Sequence, residues 1–205
     1  APKRYHPKKF PLPLWHGILH KVADQKSSGN VMRIAKNFRP DQENISRFIT
    51  ALGSGSVILS TTKFARPDFF ITAYDFIRDY IEGGLFKKEE LLIKTLEEGG
   101  FSMESGPIGG MISDQKKSRE AAELMLNTAK QWQGGDEVAR SELIWATSQF
   151  TGAIRQHLER LKSLIFPLIE QTISIDDEHK LSEEINKMVF EGGLKDGAEK
   201  YVKLI

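Results

Sequence analysis

Apolar residues recur at intervals of three and four along most of the chain, and short glycine-containing stretches interrupt them. Ile45, Phe48, Ile49 and Leu52 share one face of a first predicted helix. Pro40 followed by Asp41 suits its first turn, because proline fits there and a carboxylate favours the positive end of the helix dipole. "GSGS" at 53–56 predicts where it stops. A second helix is predicted over 68–98, with Phe70, Tyr74, Ile77, Ile81, Leu85, Glu89, Leu92 and Leu96 on one stripe. Gly83 and Gly84 fall inside it at roughly 1 kcal/mol each relative to alanine, so close packing or a kink is expected there.

A third helix, predicted over 107–132, turns Ile108, Met111, Gln115, Ala122 and Leu126 inward. The fourth, over 136–171, carries Leu143, Phe150, Ile154, His157, Leu161, Leu164 and Leu168. A final amphipathic helix is expected over 176–190, and "SVILSTT" at 56–62 is the only β-branched run. This pattern predicts an all-α protein: an antiparallel up-down four-helix bundle with an N-terminal extension and a short C-terminal helix.

The punctuation divides the chain into an extension over 1–39, a bundle over 40–190 and a tail over 191–205. The extension starts with a basic, proline-containing head, "KRYHPKKFPLP", and continues with a short helix that places Trp15, Ile18, Leu19 and Val22 on one face. Composition then removes several function classes. A net charge of +1 supplies no electrostatic drive toward nucleic acid or an anionic membrane surface. The absence of cysteine excludes disulfides, thiolate metal sites and cysteine nucleophiles. No apolar run approaches the ~20 residues that span a bilayer, and the first residues lack the apolar middle of a secretory signal, so a cytoplasmic protein is expected. No glycine-rich phosphate loop precedes a Lys-Ser/Thr pair, and no serine has a His/Asp partner that spacing identifies, so no catalytic residue is assigned and an enzyme is not expected.

The two halves of the bundle repeat. Gln42 and Leu85 are 43 positions apart and Gln115 and His157 are 42, and each half begins with the dipeptide Asp-Gln, at Asp41-Gln42 and Asp114-Gln115. Four residues beyond Leu85 and His157 stand Glu89 and Leu161, on the same helix faces. All six positions therefore point to one layer of the core.

That spacing resembles the H…HxxxE pattern, given twice, of the hemerythrin-like or HHE cation-binding domain family. The local text is similar as well: "AYDFIRDYIEGGLFKKEELLIKTLEEGGFSMESGPIGGMISDQKKSR" and "AIRQHLERLKSLIFPLI" resemble that family's segments in order and spacing over roughly 40–190. The resemblance implies a four-helix fold and, in the family, two non-haem irons used in oxygen, nitric-oxide or redox chemistry. Carried over residue by residue, only Glu89 and His157 are retained ligand types. Gln42, Leu85, Gln115 and Leu161 stand where the other ligands are expected. A di-iron centre needs imidazoles and bridging carboxylates, and leucine offers no lone pair, so loss of that site is expected and no cofactor is assigned.

The retained pair should then satisfy itself, because an isolated buried carboxylate costs several kcal/mol. A hydrogen-bonded network of Glu89, His157, Gln42 and Gln115 is expected. The alternative is a single metal ion, iron for instance, held by Glu89, His157 and His16 or His20 of the extension, which are four apart. Two functional readings follow. One is a non-catalytic structural, assembly or interaction subunit that contacts a protein partner or itself through residues 1–39. The other is a divergent non-haem iron protein in oxygen, nitric-oxide or redox sensing or storage.

Overall fold

The computed structural model describes residues 33–61 and 65–191. The predicted helix around Trp15 and the tail beyond 191 lie outside those residues. Five helices and no strand are present among the described residues. Helix α1 is Arg33–Thr61. Helix α2 covers 67–98 in three continuous segments, with π-helical Ile77–Phe86 between α-helical Pro67–Phe76 and Lys87–Glu98. Helix α3 is Gly106–Gln133. Helix α4 covers 137–172 and is π-helical over Leu161–Ile165. Helix α5 is Ile175–Glu191. None of these helices is long and apolar enough to cross a membrane.

The first helix is longer at both ends than its sequence signals suggest. Pro40 sits inside α1 rather than at its start, and Ile34 and Phe38, within the span read as extension, are buried in the core. Pro40 is exposed, so water can take the carbonyl that loses its helical donor. The "GSGS" stretch does not end the helix, and Ser56 to Thr61 are helical, not a strand. Leu59 is buried, and that burial outweighs the poor helix propensity of two glycines at roughly 1 kcal/mol each.

Helix ends elsewhere follow local chemistry. Gly100 (φ 89°) and Gly135 (φ 100°) adopt the left-handed conformation just past α2 and α3. Phe101 and Asp136 then return their amides to the carbonyls of Leu96 and Gln131, at 3.1 Å each, which is a Schellman closure. Asp136 also caps α4, accepting from the amides of Val138 at 2.9 Å and Ala139 at 3.4 Å. Asp136→Ala is expected to cost about 1 kcal/mol, read as a lower midpoint of thermal unfolding with the far-ultraviolet spectrum unchanged.

Ile45, Phe48, Ile49 and Leu52 of α1, with Phe70, Ile77, Ile81, Leu85, Leu92 and Leu96 of α2, fill the core as their spacing predicts. In α4 the stripe shifts. Leu164 is 42% exposed and Leu168 only partly buried, while Ile165 and Ile169 are fully buried in their place. The π-helical turn at Leu161–Ile165 widens one turn and moves the inward face on by one residue. Gly83 and Gly84 fall within the other π-helical stretch.

Candidate functional site

Three helices bring polar groups together in an otherwise apolar layer. Glu89 stands in the first turn of the segment Lys87–Glu98, His157 near the end of Glu137–Arg160, and Gln115 in the middle of α3. Glu89 and His157 are completely buried and Gln115 is 6% exposed. His157 Nε2 lies 2.8 Å from Glu89 Oε1 and 2.9 Å from Oε2, so its N–H donates into the fork of the carboxylate. Gln115 Nε2 donates to Glu89 Oε2 at 2.6 Å. Both oxygens of the buried carboxylate therefore have donors, as its desolvation requires.

Gln42 is not joined to this triad through its amide. Its Nε2 is buried without a hydrogen-bond partner, as is Nδ1 of His157. Leu85 and Leu161 are fully buried and close the layer with hydrocarbon. The Phe86 ring meets the His157 ring edge-on at 5.2 Å, and the Arg119 guanidinium lies over Phe86 at 5.0 Å. The imidazole is thus wedged between an aromatic ring and a carboxylate, which holds its Nε2 toward Glu89.

Two further ion pairs flank the layer, and the sequence reading missed both. Lys88 Nζ bonds Asp41 Oδ2 at 2.7 Å, with both side chains only 7% exposed. Tyr80 donates to Asp41 Oδ1 at 3.0 Å and accepts from Asn44 at 2.9 Å. Burial, followed by the Asp41 charge, pushes the Tyr80 phenol up, so it remains a neutral donor. In the other half, Arg160 Nε bonds Asp114 Oδ2 at 2.6 Å, and Gln156 reaches Asp114 Oδ1 at 3.4 Å. Gly110 leaves room for this pair, because a Cβ there would stand 2.6 Å from Arg160 Nη1.

The two ion pairs repeat each other. Asp41 and Lys88 are 47 positions apart, and Asp114 and Arg160 are 46. In each half the aspartate precedes the glutamine of the layer, and the cation precedes Glu89 or Leu161. The Asp-Gln repeat was visible in the sequence; its cationic partners were hidden among ordinary-looking "KK" and "ER" pairs. Nothing local distinguishes the buried Lys88 from Lys87, which reaches Glu90 on the surface at 2.8 Å.

The donor set does not suit two iron ions. Glu89 is already engaged on both oxygens, the imidazole turns its Nε2 into that carboxylate, and two of the six positions are leucines. No group of three or more His, Asp or Glu side chains that could hold a metal ion occurs among the described residues. His16 and His20 lie outside them. In comparisons with known proteins, no family model, curated protein or solved structure matches the chain.

Proposed function

We propose that this chain is a hemerythrin-like bundle in which a carboxylate–imidazole–amide cluster has replaced the di-iron site, and that it serves as a non-catalytic structural, assembly or interaction subunit. The observation that carries this reading is the mutual saturation of Glu89, His157 and Gln115, with Leu85 and Leu161 buried at two former ligand positions. A cluster that satisfies itself holds its helices together without an ion.

The antiparallel up-down arrangement is supported by pairs that climb in opposite directions along neighbouring helices. Asp68 meets Gln133 at 2.7 Å while Glu89 meets Gln115 at 2.6 Å, so α2 and α3 run against each other. Lys88–Asp41 ties α2 to α1, Arg160–Asp114 ties α4 to α3, and Arg140 donates to the Leu59 carbonyl at 3.0 Å between α4 and α1.

Elemental analysis of protein purified without chelators tests the reading. Metal content well below one ion per chain is expected; stoichiometric iron, zinc or manganese would overturn it in favour of a divergent metal protein. The contact role of the extension has its own test. Removal of residues 1–31, which spares the buried Ile34, is expected to abolish self-assembly or partner capture while the helical spectrum of the bundle persists. Unchanged oligomer size and partners would assign that role elsewhere.

A further inference from the structure

One side of the buried cluster is closed by a single ring. Phe86 meets the His157 imidazole edge-on, and the guanidinium of Arg119, a side chain 42% exposed, covers the same ring. Between a solvated cation and the completely buried imidazole there is thus one aromatic side chain. Arg119 also holds Glu82, with Nε 3.7 Å from Oε2. Glu82 and Phe86 are four apart on α2, so one cation of α3 grips two neighbouring positions of that helix. Both contacts are partly solvated and each is weak by itself, which makes the clasp easy to release.

The backbone under the ring is irregular. Phe86 ends the π-helical stretch Ile77–Phe86, and the next amide, that of Lys87, returns to the Gly84 carbonyl in a tighter step. The hydrogen-bond pattern therefore changes at the residue that carries the ring. Gly83 weakens the same stretch, because glycine is a poor helix former, and packing does not require it there. A Cβ on Gly83 would come no nearer than 3.4 Å, to the Arg78 carbonyl, so alanine would fit.

Behind the ring, the imidazole gains from meeting water. Its Nε2–H is committed to Glu89, while Nδ1 is buried with no partner. Such an atom forgoes the hydrogen bond that water would supply, so its exposure offsets part of the cost of uncovering an aromatic ring. We propose that Phe86 is a gate over the Glu89–His157 cluster, hinged on the π-helical stretch Ile77–Phe86 and latched by Arg119 against Glu82, which opens to admit water and small solutes to Nδ1 of His157. Access to the layer is then set at one ring, whatever the bundle assembles with.

Diethyl pyrocarbonate tests the gate in the full chain at neutral pH, because it acylates an unprotonated imidazole nitrogen and peptide mass spectrometry reads each histidine separately. His179 is exposed and serves as the reference. His157 is expected to react far more slowly than His179, at a rate that low urea leaves unchanged, since a local opening exposes little surface. Arg119→Gln should raise that rate roughly fivefold by releasing the latch. Gly83→Ala should lower it by a similar factor by stiffening the hinge, with His179 reacting as in the parent chain. A His157 rate that climbs with urea along the unfolding curve overturns the proposal, because the imidazole is then reached only by global unfolding. So does a rate that either substitution leaves unchanged, and so does a His157 that stays unreacted when Arg119 is replaced.

Discussion

Lys88→Met is expected to be among the most destabilising single substitutions in the molecule, lowering the free energy of unfolding by about 3–5 kcal/mol. The change removes the cation and leaves the Asp41 carboxylate, 7% exposed, with the Tyr80 hydroxyl as its remaining side-chain donor. A domain is stable by only about 5–15 kcal/mol, so the loss should appear as a large drop in the urea midpoint at unchanged slope. The joint change Asp41→Leu with Lys88→Met should recover much of it, because a well-packed apolar pair often equals or exceeds a buried ion pair. Single and double variants that behave additively would show that the two groups do not depend on each other.

The second large effect belongs to the central layer. His157→Leu leaves the completely buried Glu89 with Gln115 as its remaining donor, and a loss of about 3–5 kcal/mol is expected. Glu89→Leu in the same chain should restore part of that stability, since it removes the uncompensated carboxylate and leaves Gln115 as a smaller orphan costing about 1–3 kcal/mol. The contrast matters for function as well as stability. If Glu89 and His157 act as a structural cluster, the double variant keeps the oligomeric state and partner contacts of the parent protein. If its assembly is lost although the helical spectrum and unfolding midpoint are regained, the layer has a role beyond holding helices together.

These two predictions rest on different kinds of legibility. The pairing of Glu89 with His157 could be anticipated from sequence, because a lone carboxylate and a lone imidazole repeated into one apolar layer have few other partners. Which glutamine would join them could not. Gln42 and Gln115 hold equivalent places in the two halves, yet only Gln115 reaches the carboxylate, and the Gln42 nitrogen is left unpaired. The repeat is broken at Glu89 and Leu161, so a single carboxylate stands in the layer, and helix placement decides which amide it faces.

Periodicity of apolar side chains was sufficient to define five helices, their approximate limits in four cases, and the level of the core at which the polar residues meet. Burial along a helix is a local pattern, and an interval of three or four is its direct trace. Local signals misjudged α1, where proline and glycine are tolerated because Ile34, Phe38 and Leu59 bury enough surface to extend the helix past both. The tertiary structure alone decided the rest. A π-helical turn moved the inward face of α4 from Leu164 to Ile165, and the approach of neighbouring helices selected Lys88 over Lys87 and Arg160 over the other surface cations. Charges separated by almost fifty residues carry no local mark of their pairing; their distance exists only once the helices are packed.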